Sequence, residues 1–202
     1  MSENRTAYQV MSRNDLTRRL VSHLSGNEAV IAGIGNTNFD LLDAGHRPEN
    51  FYMLGSMGLA APIALGVTLA QPDRRVIALE GDGSILMNLG ALTTIATLAP
   101  ANLTVIIWDN GLYQITGKQA TATAGPTDIV RVAESCGIPQ SYWATDQSHF
   151  EQLVTTAVST NGPHFIAARV DDASATARPE RNPVLWRDRF MTGIGTRAER
   201  SV

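Results

Sequence analysis

The chain has 202 residues, enough for one large domain, and its 44% hydrophobic content allows a sizeable buried core. A formal net charge of −3 gives no electrostatic case for nucleic acid or an anionic membrane surface, and no stretch approaches the ~20 apolar residues of a membrane span. The lone cysteine, Cys136, excludes an internal disulfide framework and suits a reducing compartment. Residues 1–14 are polar and lack the apolar region of a signal peptide, so the expectation is a cytoplasmic protein that binds neither nucleic acid nor membrane.

In chain order, residues 1–11 read as a flexible N-terminal arm. A helix follows: Ser12, with Asp15 three positions on, has the pattern of a capped start. Leu16, Leu20, Val21 and Leu24 then share one helical face, and Gly26-Asn27 ends it. Short apolar runs at 29–32, 51–54, 75–79, 103–108, 141–144 and 165–170 read as buried strands. Helical stretches at 57–70, 85–98, 128–136 and 148–160 lie between several of them. The alternation predicts an α/β fold: a doubly wound, mostly parallel sheet of about six strands with helices on both faces. The connections are short, so residues 12–175 form one domain, and 176–202 form a C-terminal helical tail that is polar at first and helical over 184–194. In such sheets ligands sit outside the carboxyl ends of the strands, which directs attention to the loops after Ala32, Leu54, Leu79 and Trp108.

The strongest chemical pattern lies in two of those loops. The run Arg75–Val76–Ile77–Ala78–Leu79–Glu80 leads directly into Gly81-Asp82-Gly83-Ser84, and a helix is expected from Ile85 with Ser84 at or near its N-cap. Two glycines let the backbone turn tightly and approach a ligand closely. The start of a helix presents free N–H groups and a positive dipole end, which suits a diphosphate. The next apolar strand ends at Asn110, one helix and one strand beyond Asp82, so adjacent strand ends bring the two residues together. A carboxylate, an amide oxygen, a backbone carbonyl and phosphate oxygens make a hard oxygen shell of the kind Mg²⁺ favours.

This arrangement, GDGS followed by a helix, a strand and DNGLYQITGKQ, resembles the signature of the thiamine diphosphate-dependent enzymes, in their diphosphate-binding domain. Upstream, LGSMGLAAPIALG resembles the family segment that passes beneath the bend of the cofactor, and IAGIGNTNFDLL its first strand and loop. Within the family, the DNG-x-Y-x-x-TG-x-Q pattern, the small size and the tail PVLWRDRFMTGIG are most similar to the branch of decarboxylases acting on doubly anionic 2-oxo acids such as sulfopyruvate and phosphonopyruvate, in their beta subunits or C-terminal halves. The resemblance implies that Asp82, the Asn110 side-chain oxygen and the Leu112 carbonyl hold Mg²⁺. It implies that Gly81, Gly83 and Ser84 meet the diphosphate, with Gly35, Thr37, Ser56 and Tyr113 among the other cofactor contacts. It also implies that the Gly55 carbonyl accepts from the aminopyrimidine, that Met57 wedges the cofactor into a bent form, and that Gln119 or Lys118 stands near the substrate.

Three positions depart from the commonest family pattern. Asp109 replaces asparagine and adds charge near the metal, Leu112 replaces glycine where only a carbonyl is needed, and Lys118 replaces glycine, either to meet an acidic substrate or to face water.

Family enzymes also need a pyrimidine-binding domain that supplies a glutamate, and no second copy of the doubly wound pattern fits in this sequence. The resemblance therefore implies a hetero-oligomer with a separate pyrimidine-binding alpha subunit, acting on a small anionic 2-oxo acid. The rivals are a carboligase or oxidoreductase subunit of the same cofactor family, for which one cysteine supplies no iron–sulfur ligand set, and a regulatory module of the same fold. A dinucleotide-binding domain lacks its G-x-G-x-x-G here.

Several residues have plainer expectations. The four histidines show no metal-ligand spacing, and Met57, Gly33 and Gly35 alone would be core and turn residues. Trp143 and Trp186 read as packing or interface residues, and Cys136 as a small buried one. Glu80 is expected to pair with Arg74 or a partner chain, or to sit at a solvated strand end. Arg178, Arg181, Arg187 and Arg189 read as a solvated basic face.

Overall fold

The computed structural model describes residues 8–175 and 177–197. Helix α1 (Arg13–Ser22) starts where expected, the Ser12 hydroxyl accepting from the Asp15 amide. Strand β1 (Ala29–Ala32) leads to α2 (Asn36–Asp43), β2 (Asn50–Tyr52), α3 (Ala60–Ala70) and β3 (Val76–Gly81). Two helices, α4 (Asp82–Leu86) and α5 (Gly90–Leu98), then precede β4 (Leu103–Asp109). A two-residue hairpin, β5 (Leu112–Tyr113) and β6 (Gln119–Ala120), leads through a 3-10 turn at Ala122–Ala124 to α6 (Ile129–Ser135). The chain finishes with β7 (Gln140–Ala144), α7 (Gln147–Ser159), β8 (His164–Arg169) and α8 (Pro183–Gly193).

Six strands form one sheet in the order β2-β1-β3-β4-β8-β7, and every pairing is parallel. The strands alternate faces, so two apolar cores form. Ile31, Val76, Ala78, Val105 and Phe165 face α3, α5 and α6, while Val30, Ile77, Leu79, Ile106 and Ile166 face α1, α2 and α7. Burial on both sides explains the nearly unbroken apolar strands. From β1 the chain moves outward to β2, and from β3 it moves the other way to β4. The carboxyl ends of β1 and β3 therefore border the crevice where this class of sheet binds its ligands.

The six expected strands and their parallel order are present, but several boundaries move. The helix expected over 57–70 begins only at Ala60, because Ser56 (φ 61°) and Gly58 (φ 90°) take left-handed backbone that an α-helix cannot include. The helix expected over 85–98 starts earlier, at Asp82, with Gly81 as its N-cap, and breaks between Leu86 and Gly90. The break is held from outside, as the Asn88 side chain donates to the Gly58 carbonyl at 3.1 Å. Helix α2 occupies a stretch that the sequence presents as loop, because its first turn, Asn36-Thr37-Asn38, consists of weak helix formers.

At the ends, residues 1–7 of the expected arm and 198–202 of the expected tail lie outside the described residues. Met11, however, is buried and bridges Val170, so packing starts before Ser12. In the tail, α8 packs beside β2, burying Phe190 in one core and Trp186 in the other. No helix among the described residues is long and apolar enough to cross a membrane.

Candidate functional site

A cleft of about 130 Å³ opens at the β1–β3 crevice. Asn36 and Thr37, at the start of α2, form one wall, and the 81–84 turn forms the opposite one. Asn110, Leu112 and Tyr113 close it from the end of β4, and Met57 contributes from the turn before α3. Nine of the residues expected at the site thus line one space: Thr37, Met57, Gly81, Asp82, Gly83, Ser84, Asn110, Leu112 and Tyr113. Gly35 lies on the next cavity, with Ile34 and Ile115 lining both. Gly55 and Ser56 are exposed beside Met57. Gln119 is not brought to the cleft: it is exposed on β6 and its amide oxygen accepts from Thr116.

The carboxylate of Asp82 is 1% exposed and is held from below. Thr121 and Thr123 both donate to its Oδ2, at 2.5 Å and 2.7 Å. Thr123 is also 3.0 Å from Asp109 Oδ1, and Asp109 Oδ2 pairs with the Arg169 guanidinium at 2.6 Å. Arg169 in turn lies over the Trp143 ring, 4.6 Å from its centroid. The departure at Asp109 is thereby explained: its extra charge is buried against a cation rather than directed at the cleft. Neither threonine could be singled out from the sequence, since both stand in an unpatterned loop that only folding carries beneath Asp82.

Asn110 occupies the end of β4. Its Oδ1 accepts from the Leu112 amide at 2.9 Å, which sets the turn into the hairpin, and its Nδ2 donates to Gln114. One of the two lone pairs on that oxygen is used in this way. Gly83 explains why the turn must be small: a Cβ there would stand 2.5 Å from Tyr113 Cε1, so any side chain would drive the hairpin off the turn. Lys118, also in the left-handed region (φ 58°), reaches Asp172 at 2.7 Å on the surface.

Ser84 and Glu80 differ from expectation. Ser84 sits inside α4 rather than at its cap, and its Oγ accepts the Gly58 amide at 2.9 Å. Glu80 is neither solvated nor paired with Arg74. It is fully buried on the α3 face of the sheet and accepts the Ala61 amide at 2.9 Å. Leu59, the cap residue of α3, offers no side-chain hydrogen bond, so Glu80 caps that helix from the neighbouring strand. Burial pushes its carboxyl above the usual carboxylate range, opposed by the Ala61 and Ala60 amides and the Ser84 hydroxyl. Glu80, Ser84 and Asn88 together pin the turn that carries Met57.

Arg13, from α1, is the cleft's buried cation. Its Nε pairs with Asp40 at 2.7 Å and its Nη2 donates to the Ala173 carbonyl at 2.6 Å. Among the described residues no group of three or more His, Cys, Asp or Glu side chains forms a metal cage. The oxygen donors gathered here are instead one carboxylate, one amide oxygen and backbone carbonyls, a sparse set suited to a cation that keeps phosphate oxygens in its shell.

A doubly wound sheet with a glycine turn, a single carboxylate and an amide oxygen at its switch point is the arrangement that suits a phosphate and a cation. Comparison with known proteins is specific. Residues 33–168 match the family model described as thiamine pyrophosphate enzyme, C-terminal TPP binding domain. The sulfopyruvate decarboxylase subunit beta of Methanocaldococcus jannaschii is 36% identical over 90% of this chain and 96% of that protein. The phosphonopyruvate decarboxylase of Streptomyces viridochromogenes is 35% identical over 88% of this chain, which spans only 45% of that longer protein. A solved chain from Mycobacterium smegmatis, assigned to the thiamin diphosphate-dependent enzymes, superposes with a TM-score of 0.68 at 24% identity, covering 80% of this chain and 32% of its own, and supports the fold alone. The chain belongs to the thiamine pyrophosphate enzymes, as their C-terminal TPP-binding domain, and stands among proteins named as decarboxylases.

Proposed function

We propose that this chain is the diphosphate- and magnesium-binding subunit of a thiamine diphosphate-dependent 2-oxo acid decarboxylase, completed by a separate pyrimidine-binding subunit. The observation that carries the reading is the meeting of Asp82, Asn110, Leu112 and the Gly81–Ser84 turn in one cleft at the β1–β3 crevice. Asp82, the Asn110 side-chain oxygen and the Leu112 carbonyl would hold Mg²⁺. The backbone around Gly83, the Ser84 hydroxyl and the start of α2 at Gly35–Thr37 bind the diphosphate, and Tyr113 covers it. The Gly55 carbonyl and Ser56 face the cofactor's middle, where Met57, held by a strained turn, sets its bend. Backbone in a sparsely populated region persists where the surroundings enforce it, and here Ser84 and Asn88 do so.

When bound, thiamine diphosphate supplies the electron sink that lets the bond to the leaving carboxylate break. This chain's residues anchor and orient it, and the apolar walls at Ile34, Trp108 and Ile115 keep water out. The substrate is a short, doubly anionic 2-oxo acid. The names of two relatives, a sulfopyruvate and a phosphonopyruvate decarboxylase, support this substrate, and the split into subunits is supported because the first, of nearly equal length, is called a beta subunit while the second carries this domain as less than half of a longer chain.

The test is reconstitution. The purified chain alone is expected to release no CO₂ from sulfopyruvate, phosphonopyruvate or pyruvate. Adding the pyrimidine-binding subunit is expected to create activity that saturates at a fixed stoichiometry. Robust turnover by this chain alone, with no partner detectable by mass spectrometry, refutes the split-subunit reading.

A further inference from the structure

We infer that the second cavity, bounded by Arg178 and Arg181, is the subsite for the anionic group that the substrate keeps: a sulfonate or phosphonate at the carbon beyond the keto group. The inference rests on the decarboxylase reading and adds to it the residues that select the substrate.

The cavity holds about 450 Å³ and adjoins the cofactor cleft through the shared side chains Ile34 and Ile115. Leu54 lies on its wall, next in sequence to Gly55 at the cofactor's middle, so the cavity opens beside the place where a 2-oxo acid would react. Phe39, Pro179, Arg178 and Arg181 also line it. The Arg178 guanidinium lies over the Phe39 ring, 5.6 Å from its centroid, which fixes its direction. No carboxylate lines the cavity, and neither arginine forms an ion pair among the described residues. Arg13, by contrast, is paired with Asp40 and donates to Gln114 and to the Asp171 and Ala173 carbonyls, so its charge and donors are already engaged.

The polarity of the cavity orients its ligand. Asn38 is 1% exposed; its Nδ2 donates to the Met53 carbonyl at 2.5 Å, and its buried Oδ1 has no hydrogen-bond partner among the described residues. An acceptor without a donor repels an anion placed against it, so the anionic group is directed away from Asn38 and toward the arginines. A guanidinium matches the oxygens of a sulfonate or phosphonate with parallel N–H donors, which an ammonium does not. The chemistry gives the site its purpose. The carboxylate departs as CO₂ and cannot anchor the molecule through the reaction, whereas the second anion is unchanged and can. Contacts that are the same before and during the reaction govern KM and leave kcat alone.

The experiment uses the complex with its pyrimidine-binding subunit and the variants Arg178→Gln and Arg181→Gln. Both side chains are exposed, so the core is undisturbed. KM for sulfopyruvate and phosphonopyruvate is expected to rise about tenfold or more, the scale of a lost charge-assisted contact, with kcat within about twofold. KM for pyruvate, which lacks the second anion, and affinity for thiamine diphosphate should not change. Unchanged KM for both dianionic acids, or an equal rise for pyruvate, overturns the assignment; a rise for only one of the two tells sulfonate from phosphonate and supports it. A second arm needs no turnover and so separates this proposal from the decarboxylase reading. Sulfoacetate and phosphonoacetate are titrated into the complex and followed by NMR, with acetate as control. Binding that the glutamine variants abolish supports the subsite, and absence of binding to the unmodified complex overturns it.

Discussion

The pair of threonines beneath Asp82 allows a quantitative forecast for Thr123→Val, which keeps the shape of the side chain and removes only the hydroxyl. Thr123 Oγ1 lies 2.7 Å from Asp82 Oδ2, 3.0 Å from Asp109 Oδ1 and 2.9 Å from Thr121 Oγ1. A hydroxyl has one proton, so it serves one carboxylate at a time, and Thr121 serves Asp82 with the other. Valine leaves Asp82 with a single donor, while Asp109 retains Arg169. A hydrogen bond to a charged group contributes roughly 1.5–3 kcal/mol. The cofactor-free chain should lose about that much, a fall in Tm of about 3–12 °C for a domain of this size. Because the freed carboxylate is less firmly aimed, affinity for Mg²⁺ and thiamine diphosphate should also fall, about tenfold, or ~1.4 kcal/mol. Thr123→Ser supplies the control: it retains the hydroxyl and should recover most of both quantities. Denaturant unfolding reads the first and titration calorimetry the second. If the valine variant matches the serine variant in both, the hydroxyl does not hold Asp82 and the reasoning fails.

Three further outcomes follow from the same structure. Asp82→Ala should weaken Mg²⁺–thiamine diphosphate binding at least tenfold, about 1.4 kcal/mol, and unchanged calorimetry would remove Asp82 from the metal site. Glu80→Leu should cost about 1–3 kcal/mol, because the buried Ala61 amide loses its acceptor; Glu80→Gln keeps an acceptor and should unfold near the native midpoint, so equal losses in the two variants would count against the capping role. Stability should decline as pH falls below 6.5. Burial lowers the pKa of His46 and His164 from that value, with nearby Arg189 and Arg75 adding to it. The unfolded chain then binds more protons in the window between 6.5 and the lowered folded values, so the stabilisation is complete above 6.5 and is lost through that window. Urea midpoints at pH 7.5 and 5.5 measure the change, and His164→Gln should reduce it.

The fold was legible in the sequence because its strands are apolar on both faces and are separated by amphipathic helices. Those periodicities report burial directly, and all six strands fell close to their expected places. The cleft was legible for a different reason: Gly81, Asp82 and Gly83 are consecutive, and Asn110 ends the adjacent strand, so the chemistry is encoded over short intervals along two paired strands. The supporting residues were not legible, because their partners are distant in the chain. Glu80 reads as a charge at a strand end until α3 is seen to start beside it, and Ser84 reads as a helix cap until Gly58 is seen to donate to it.

The same distinction explains Asp109. In the sequence it is one more negative charge next to a predicted metal ligand, which would strengthen cation binding while burdening the site with an unscreened carboxylate. In the fold, strand alternation turns it to the opposite side from Asn110, where β8 delivers Arg169 in direct register with it. The charge is compensated within the sheet, and only its effect on Thr123 reaches the cleft. A residue next to a candidate metal ligand in the chain can thus be a structural support, while Thr121 and Thr123, 39 and 41 positions beyond Asp82, hold the Asp82 carboxylate. Local spacing reveals the groups that line the cleft; the groups that aim them are settled by which strand ends and loops the topology stacks together.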